Sequence, residues 1–252
     1  TNEETREQIL AGLGEQHLDL IVAKLKTKFG VEVDLQIPRV AYRETIRKTV
    51  QAQGRHKKQS GGHGQFGDVW VRFEPCEEMD LVFDVEVVGG SVPKNYFPAV
   101  EKGLRECLAN GPLAGYPVVG VKAVLYDGSY HDVDSNELSF KMAAGIAVKD
   151  GLKNAKPILL EPVHSLKIAI PDSYLGDVMG DINKRRGRIM GTNTEGETTI
   201  VNAEVPLAEI KTYTMELRSL TRGSGKFVSE FMGYEEVPFN LVDKIIADAQ
   251  KA

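Results

Sequence analysis

His131 is the side chain of this sequence best placed to do chemistry. It stands in the run Tyr126-Asp127-Gly128-Ser129-Tyr130-His131-Asp132-Val133-Asp134-Ser135. An imidazole there can donate, accept or change charge near neutral pH. The alternating apolar run 118–126 predicts a strand leading into this segment, and a helical pattern beginning near Asp134 follows it. Glu137 lies three residues after Asp134, the spacing of an N-cap with a returning carboxylate. Strand, tight polar loop and capped helix would hold the imidazole out on a rigid support, with Ser129, Tyr130 and Asp132 beside it. Asp132 and Asp134 could form an acid/base pair, but capping and the helix dipole already account for carboxylates at a helix start.

Other patterns imitate chemistry without its context. Gly62-His63-Gly64-Gln65-Phe66-Gly67 fits G-x-G-x-x-G. A dinucleotide site needs a strand before that motif and a helix after it. Here a polar, basic stretch precedes it and a strand pattern follows, so the segment reads as a hairpin tip. Gly223-Ser224-Gly225-Lys226 resembles the end of a phosphate-binding loop, but Leu220 and Phe227 occupy the positions that need Gly and Ser/Thr. The histidines His17, His56, His63, His131 and His164 lack metal-ligand spacing. Cys76 and Cys107 are too few for a disulfide framework and suit a reducing compartment.

Charge is uneven along the chain, whose net value is −5. The segment 39–58 holds Arg39, Arg43, Arg47, Lys48, Arg55, Lys57 and Lys58 against the single acid Glu44. A second basic run, Lys184-Arg185-Arg186-Gly187-Arg188, closes a predicted helix. Both runs suit a phosphate backbone, and both suit a solvated face or a helix C-terminus equally well.

The periodicities predict an α+β chain in three parts. Residues 1–38 read as strand (8–13), helix (15–29) and strand (31–37), which is half of a small α+β domain. Residues 39–162 read as strands at 39–50, 68–73, 81–88 and 118–126, with helices at 93–109 and 134–152. Pro157 and Pro162 then mark a linker. Residues 163–252 give strands at 164–170, 188–193, 198–205 and 226–234 and helices at 173–184 and 207–220. That is the βαββαβ order of a split βαβ, ferredoxin-like domain. A final amphipathic helix spans 239–250. No 18-residue apolar run predicts a membrane span, and the absence of an initial Met suggests a processed chain or a fragment.

With these residues in view, the sequence resembles the C-terminal part of bacterial elongation factor G, the ribosomal translocase. Tyr42-Arg43-Glu44-Thr45-Ile46, the segment 59–67, Gly111-Pro112-Leu113-Ala114-Gly115-Tyr116-Pro117, the segment 128–135, Gly176 through Gly187 and Arg218-Ser219-Leu220-Thr221 follow in family order. The resemblance implies half of domain III (1–38), a ribosomal-protein-like βαβ domain IV (39–162) with tip loops 59–67 and 127–134, and a ferredoxin-like domain V (163–252). It implies that Gly61, Gly62, His63, Gly64, Gln65, Ser129, Tyr130, His131 and Asp132 meet RNA at the decoding centre. Lys57, Lys58, Lys184, Arg185, Arg186 and Arg188 are further candidates for ribosomal RNA contact. The implied partners are the ribosome with its tRNA and mRNA, for a cytoplasmic monomer. No cofactor is expected in this chain, since GTP and Mg2+ belong to the family's N-terminal domains. His63 stands where the family pattern has Arg, and the 223–226 turn also departs from it. Alternative readings are therefore a paralogue for ribosome recycling or ribosomal protection, or a ligand-binding regulatory module.

Overall fold

The computed structural model describes residues 5, 7–12, 14–59 and 64–251. In chain order the elements are α1 (Glu15–Phe29), β1 (Arg43–Ile46), β2 (Val50–Lys58), β3 (Gln65–Pro75), β4 (Val82–Val85), α2 (Phe97–Leu108), β5 (Val121–Ser129) and α3 (Glu137–Asn154). There follow β6 (Pro157–Pro171), α4 (Leu175–Lys184), β7 (Arg188–Glu195), β8 (Thr198–Pro206), α5 (Leu207–Ile210), α6 (Tyr213–Leu220), β9 (Lys226–Glu236) and α7 (Phe239–Ala249). The class is α+β, as the periodicities predict. Two compact units form: residues 42–160 with 236–252, and residues 1–41 with 161–235.

In the first unit β2 and β3 make an antiparallel hairpin, in register from Val50 opposite Phe73 to Lys58 opposite Gln65. β5 lies antiparallel to β3, and β4 runs parallel to β5, giving the order β2-β3-β5-β4. Alternation puts Val69, Val71 and Phe73 on one face, where they meet Phe140, Ala143, Ala144 and Ala147 of α3 in one core. The helix-to-sheet approach is close enough to require glycine. A Cβ on Gly54 would lie 1.9 Å from the carbonyl oxygen of Ala143, and one on Gly67 would lie 2.6 Å from that of Ser139. α2 packs on α3, completing the helical layer.

Glu44 secures the start of this unit. It is fully buried, and its Oε1 accepts the N–H groups of Ala114 (2.8 Å) and Tyr116 (3.2 Å) while Oε2 accepts that of Leu113 (2.9 Å). Burial pushes its carboxyl up from the ordinary carboxylate range, against the pull of the backbone donors. The lone acid of the basic 39–58 segment is thus a structural anchor for the loop ahead of β5.

In the second unit β6 pairs with β8 and β9, and β8 pairs with β7. The spatial order β9-β6-β8-β7 is that of the βαββαβ motif. α4 and α6 bury Val178, Ile182, Tyr213 and Leu217 against Leu166, Ile168, Ile170, Val201, Ala203 and Val205.

Several expected boundaries are corrected. Residues 8–12 and 31–37 are not strands. Val31, Val33, Leu35 and Ile37 do alternate, but all four are exposed, and among the described residues no neighbouring strand takes their backbone groups. The predicted 39–50 strand is two strands broken at Arg47 and Lys48, whose N–H groups both donate to the Ala155 carbonyl. The predicted linker at Pro157 and Pro162 is instead the strand β6. Pro157 opens it, and Pro162 falls between the ladder to β1, which ends at Leu160, and the ladder to β8, which begins at Val163. The predicted helix 207–220 is two helices, separated at Lys211 and Thr212.

Glu44→Gln is expected to lower stability by about 1–3 kcal/mol, because an NH2 would face a backbone donor in a buried site. Urea unfolding of the two proteins, with unchanged slope, measures this.

Candidate nucleic-acid interface

The end of the β2–β3 hairpin and the loop after β5 meet at one tip. Residues Gly61, Gly62 and His63 lie outside the described residues. Gly64 donates its N–H to Asp134 Oδ1 at 2.9 Å, and Phe66 donates its N–H to the Asp134 carbonyl, also at 2.9 Å. Ser135 Oγ donates to the Phe66 carbonyl at 2.9 Å and accepts the N–H of His131 at 2.9 Å. The Ser135 N–H returns to the His131 carbonyl. These bonds latch the two loops together through backbone groups and the side chains of Asp134 and Ser135. Tyr96, ahead of α2, adds a hydroxyl bond to the Ser135 carbonyl.

The expectation that Asp134 caps α3 is therefore corrected. Asn136 is the N-cap, its Oδ1 accepting the Ser139 N–H at 2.8 Å. That cap leaves the Asp134 carboxylate free to reach across to the hairpin.

The latch leaves particular groups facing outward. His131 has a side chain 59% exposed, with Nδ1 3.6 Å from Asp134 Oδ2 and its ring 6.5 Å from that of Phe66. Tyr130 is 46% exposed, and Asp132 is exposed beside it. Gln65 pairs its amide oxygen with His56 Nε2 at 2.9 Å, which leaves its NH2 as the group on offer. Lys57 and Lys58 are exposed at the end of β2, in register with Phe66 and Gln65. Ser129 differs from the others: its Oγ donates to Asp68, a buried carboxylate that also accepts Gln53 Nε2. Ser129 therefore braces the base of the loop.

The second basic run has a different character. Arg185 pairs with Asp181 and Glu216 and donates to the Glu209 carbonyl. Arg186 pairs with Glu161 at 2.6 Å and with Glu209 at 3.0 Å, and these partners raise its pKa further above the usual range. Arg188 pairs with Glu204 and Glu235. Three of the four cations are thus held by carboxylates of the same unit, and Lys184 and Arg188 are the two exposed ones.

The 223–226 turn does not fit a nucleotide. Gly223 donates its N–H to the Arg218 carbonyl, Ser224 to the Thr221 carbonyl and Gly225 to Thr221 Oγ1. The amides that would cradle a phosphate are spent inside the fold. Among the described residues no group of three or more His, Cys, Asp or Glu is arranged to hold a metal ion. Among them, too, no helix is long and apolar enough to cross a membrane.

Comparison with known proteins gives three adjoining matches. Residues 1–37 match elongation factor G, domain III; residues 38–156 match elongation factor G, domain IV; and residues 158–245 match the elongation factor G C-terminus. A crystal structure of a protein from Thermus thermophilus matches all of this chain with 46% identity and a TM-score of 0.92, and the chain covers 38% of that protein.

Two outcomes follow from this geometry. Asp134→Ala is expected to speed amide exchange at Gly64 at least tenfold while Asp134→Asn, which keeps an acceptor, restores protection; exchange measured by NMR decides it. Arg186→Ala should destabilise the chain by roughly 3 kcal/mol, because it strands the buried Glu161 carboxylate. Thermal unfolding of the two proteins reads that loss.

Proposed function

The chain belongs to the elongation factor G family, and on that premise we propose that it acts on the ribosome. Its domain IV tip enters the decoding centre of the small subunit and accompanies tRNA and mRNA as they move. The observation that carries this reading is the latched tip, which presents Tyr130, His131 and Gln65 while fixing the backbone beneath them. A preorganised polar surface of this kind gains affinity because little ordering remains to be done on binding. Imidazole, amide and phenol can bond to nucleotide edges or stack on unpaired bases, which is how RNA is read outside double helices. Lys57 and Lys58 flank the tip and suit phosphates, so binding weakens as salt rises.

The work assigned to this chain is mechanical. It supplies a rigid, correctly shaped end and holds donors at fixed positions. GTP hydrolysis is assigned to other sequence of a longer parent protein, since the phosphate-loop-like turn at 223–226 has its amides occupied.

In the full-length parent, His131→Ala should slow GTP-dependent translocation on purified ribosomes by roughly tenfold, the worth of about 1.4 kcal/mol of lost bonding or stacking. Ribosome-stimulated GTP hydrolysis should be unchanged. An unaltered translocation rate would remove His131 from the proposed role. Ribosome splitting by the parent without translocation would favour recycling as its duty.

A further inference from the structure

The face of the β2-β3-β5-β4 sheet opposite α3 carries an arrangement that the tip does not use. α3 packs on β2 and β3, and α2 packs on α3, on the side of Val69, Val71 and Phe73. The alternate residues of β3, Phe66, Asp68, Trp70 and Arg72, therefore stand on the other side. Trp70 is the only tryptophan of the chain. Its ring lies 6.4 Å from that of Tyr126, which projects at the irregularity between Trp70 and Val71 in the β3–β5 register. Phe66 is one alternation nearer the tip than Asp68, with the Arg55 guanidinium 5.5 Å from its ring centre and the His131 ring centre 6.5 Å from it. Phe66, Trp70 and Tyr126 are half-buried.

We propose that this open face is a stacking platform for single-stranded RNA, continuous with the tip. The platform places aromatic rings on β3 and β5, the two central strands of a four-stranded sheet, which is the arrangement by which sheet-based RNA-binding modules take unpaired bases. Stacking on such rings tolerates any base.

Charge divides the face in two. Away from the tip, Arg72 is paired with Glu74 and Glu86, and Lys122 with Asp84. Near the tip, Arg55, Lys57 and Lys58 have no carboxylate partner among the described residues and are exposed. Two acids on the strands share this half, and Asp132 and Asp134 lie at the adjoining tip. Asp68 is buried beneath its bonds to Gln53 and Ser129, and Asp127 accepts the Gly128 N–H. Aromatic rings with flanking Arg, Lys and Gln suit a strand whose bases lie on the sheet and whose phosphates run along β2. Lysine is depleted at protein–protein interfaces, so the exposed Lys57 and Lys58 beside the rings favour a phosphate-bearing strand over a protein partner. The proposal rests on the domain meeting RNA, but it assigns to Trp70 and Tyr126 a contact other than the decoding-centre contact of His131.

Trp70 reports on its own surroundings. The 252-residue chain would be titrated with a ten-nucleotide mixed-sequence single-stranded RNA at 50 mM salt while tryptophan fluorescence is followed. Saturable quenching in the range of about 1–100 µM is expected, weakening as salt is raised. By anisotropy of the dye-labelled oligomer, Trp70→Ala and Tyr126→Ala should each weaken binding about tenfold, and Trp70→Phe should keep most of it. Melting curves of the variants separate lost stacking from lost fold. No quenching, affinities unchanged in both alanine variants, or equal quenching by a duplex of the same length would each overturn the platform. Because the readout uses no ribosome, failure here leaves the His131 translocation result standing, and the reverse also holds.

Discussion

The backbone-to-backbone approach of α3 onto the β2–β3 hairpin is the constraint on which the functional end of this chain depends. Gly54 and Gly67 face the carbonyls of Ala143 and Ser139 with no space for a side-chain carbon. Such contact fixes the helix along its axis as well as across it, because the nearest atoms are rigid main chain. The first turn of α3 is thereby set beside the end of β3, and only then do Asp134 and Ser135 fall within reach of Gly64 and Phe66. Ala143, Ala144 and Ala147 fill the seam with small side chains, so the core at this level is thin and stiff.

Much of this arrangement is legible in sequence because it is local. The alternating run before His131, the helical period after it, and the glycine-rich hairpin tip each declare themselves within a short stretch of chain. The βαββαβ order of the C-terminal unit follows from the same periodicities. The losses occur where a local pattern has two uses. Asp134 and Asn136 are both good N-caps two residues apart, and only the buried stripe of Phe140, Ala143 and Ala147 decides between them. Pro162 reads as a breaker unless the registers on either side of it are known. The alternation of 31–37 predicts a strand that the described residues do not pair.

The arginines show a different limit. A basic run looks the same whether it faces a phosphate or a carboxylate, because its partners are distant in sequence. Glu161, Glu209, Glu216 and Glu235 come to Arg185, Arg186 and Arg188 only through the fold of the 161–235 segment. Conversely, Arg55, Lys57 and Lys58 are exposed and have no carboxylate partner among the described residues, and Asp68, in register with Arg55, is buried under bonds from Gln53 and Ser129. The arginines of the 184–188 run are thus spent on carboxylates of their own unit, while of the 39–58 run Arg39 and Arg47 are ion-paired and its 55–58 end presents exposed charge.

The tip latch uses main-chain groups and the side chains of Asp134 and Ser135. Tyr130, Asp132 and Val133 stand outside it, and His131 enters it chiefly through its backbone. What the tip recognises can therefore change without renegotiating how it is held. A lineage could exchange the outward side chains one at a time, each trial costing little in folding, while the scaffold passes unaltered to descendants with different duties.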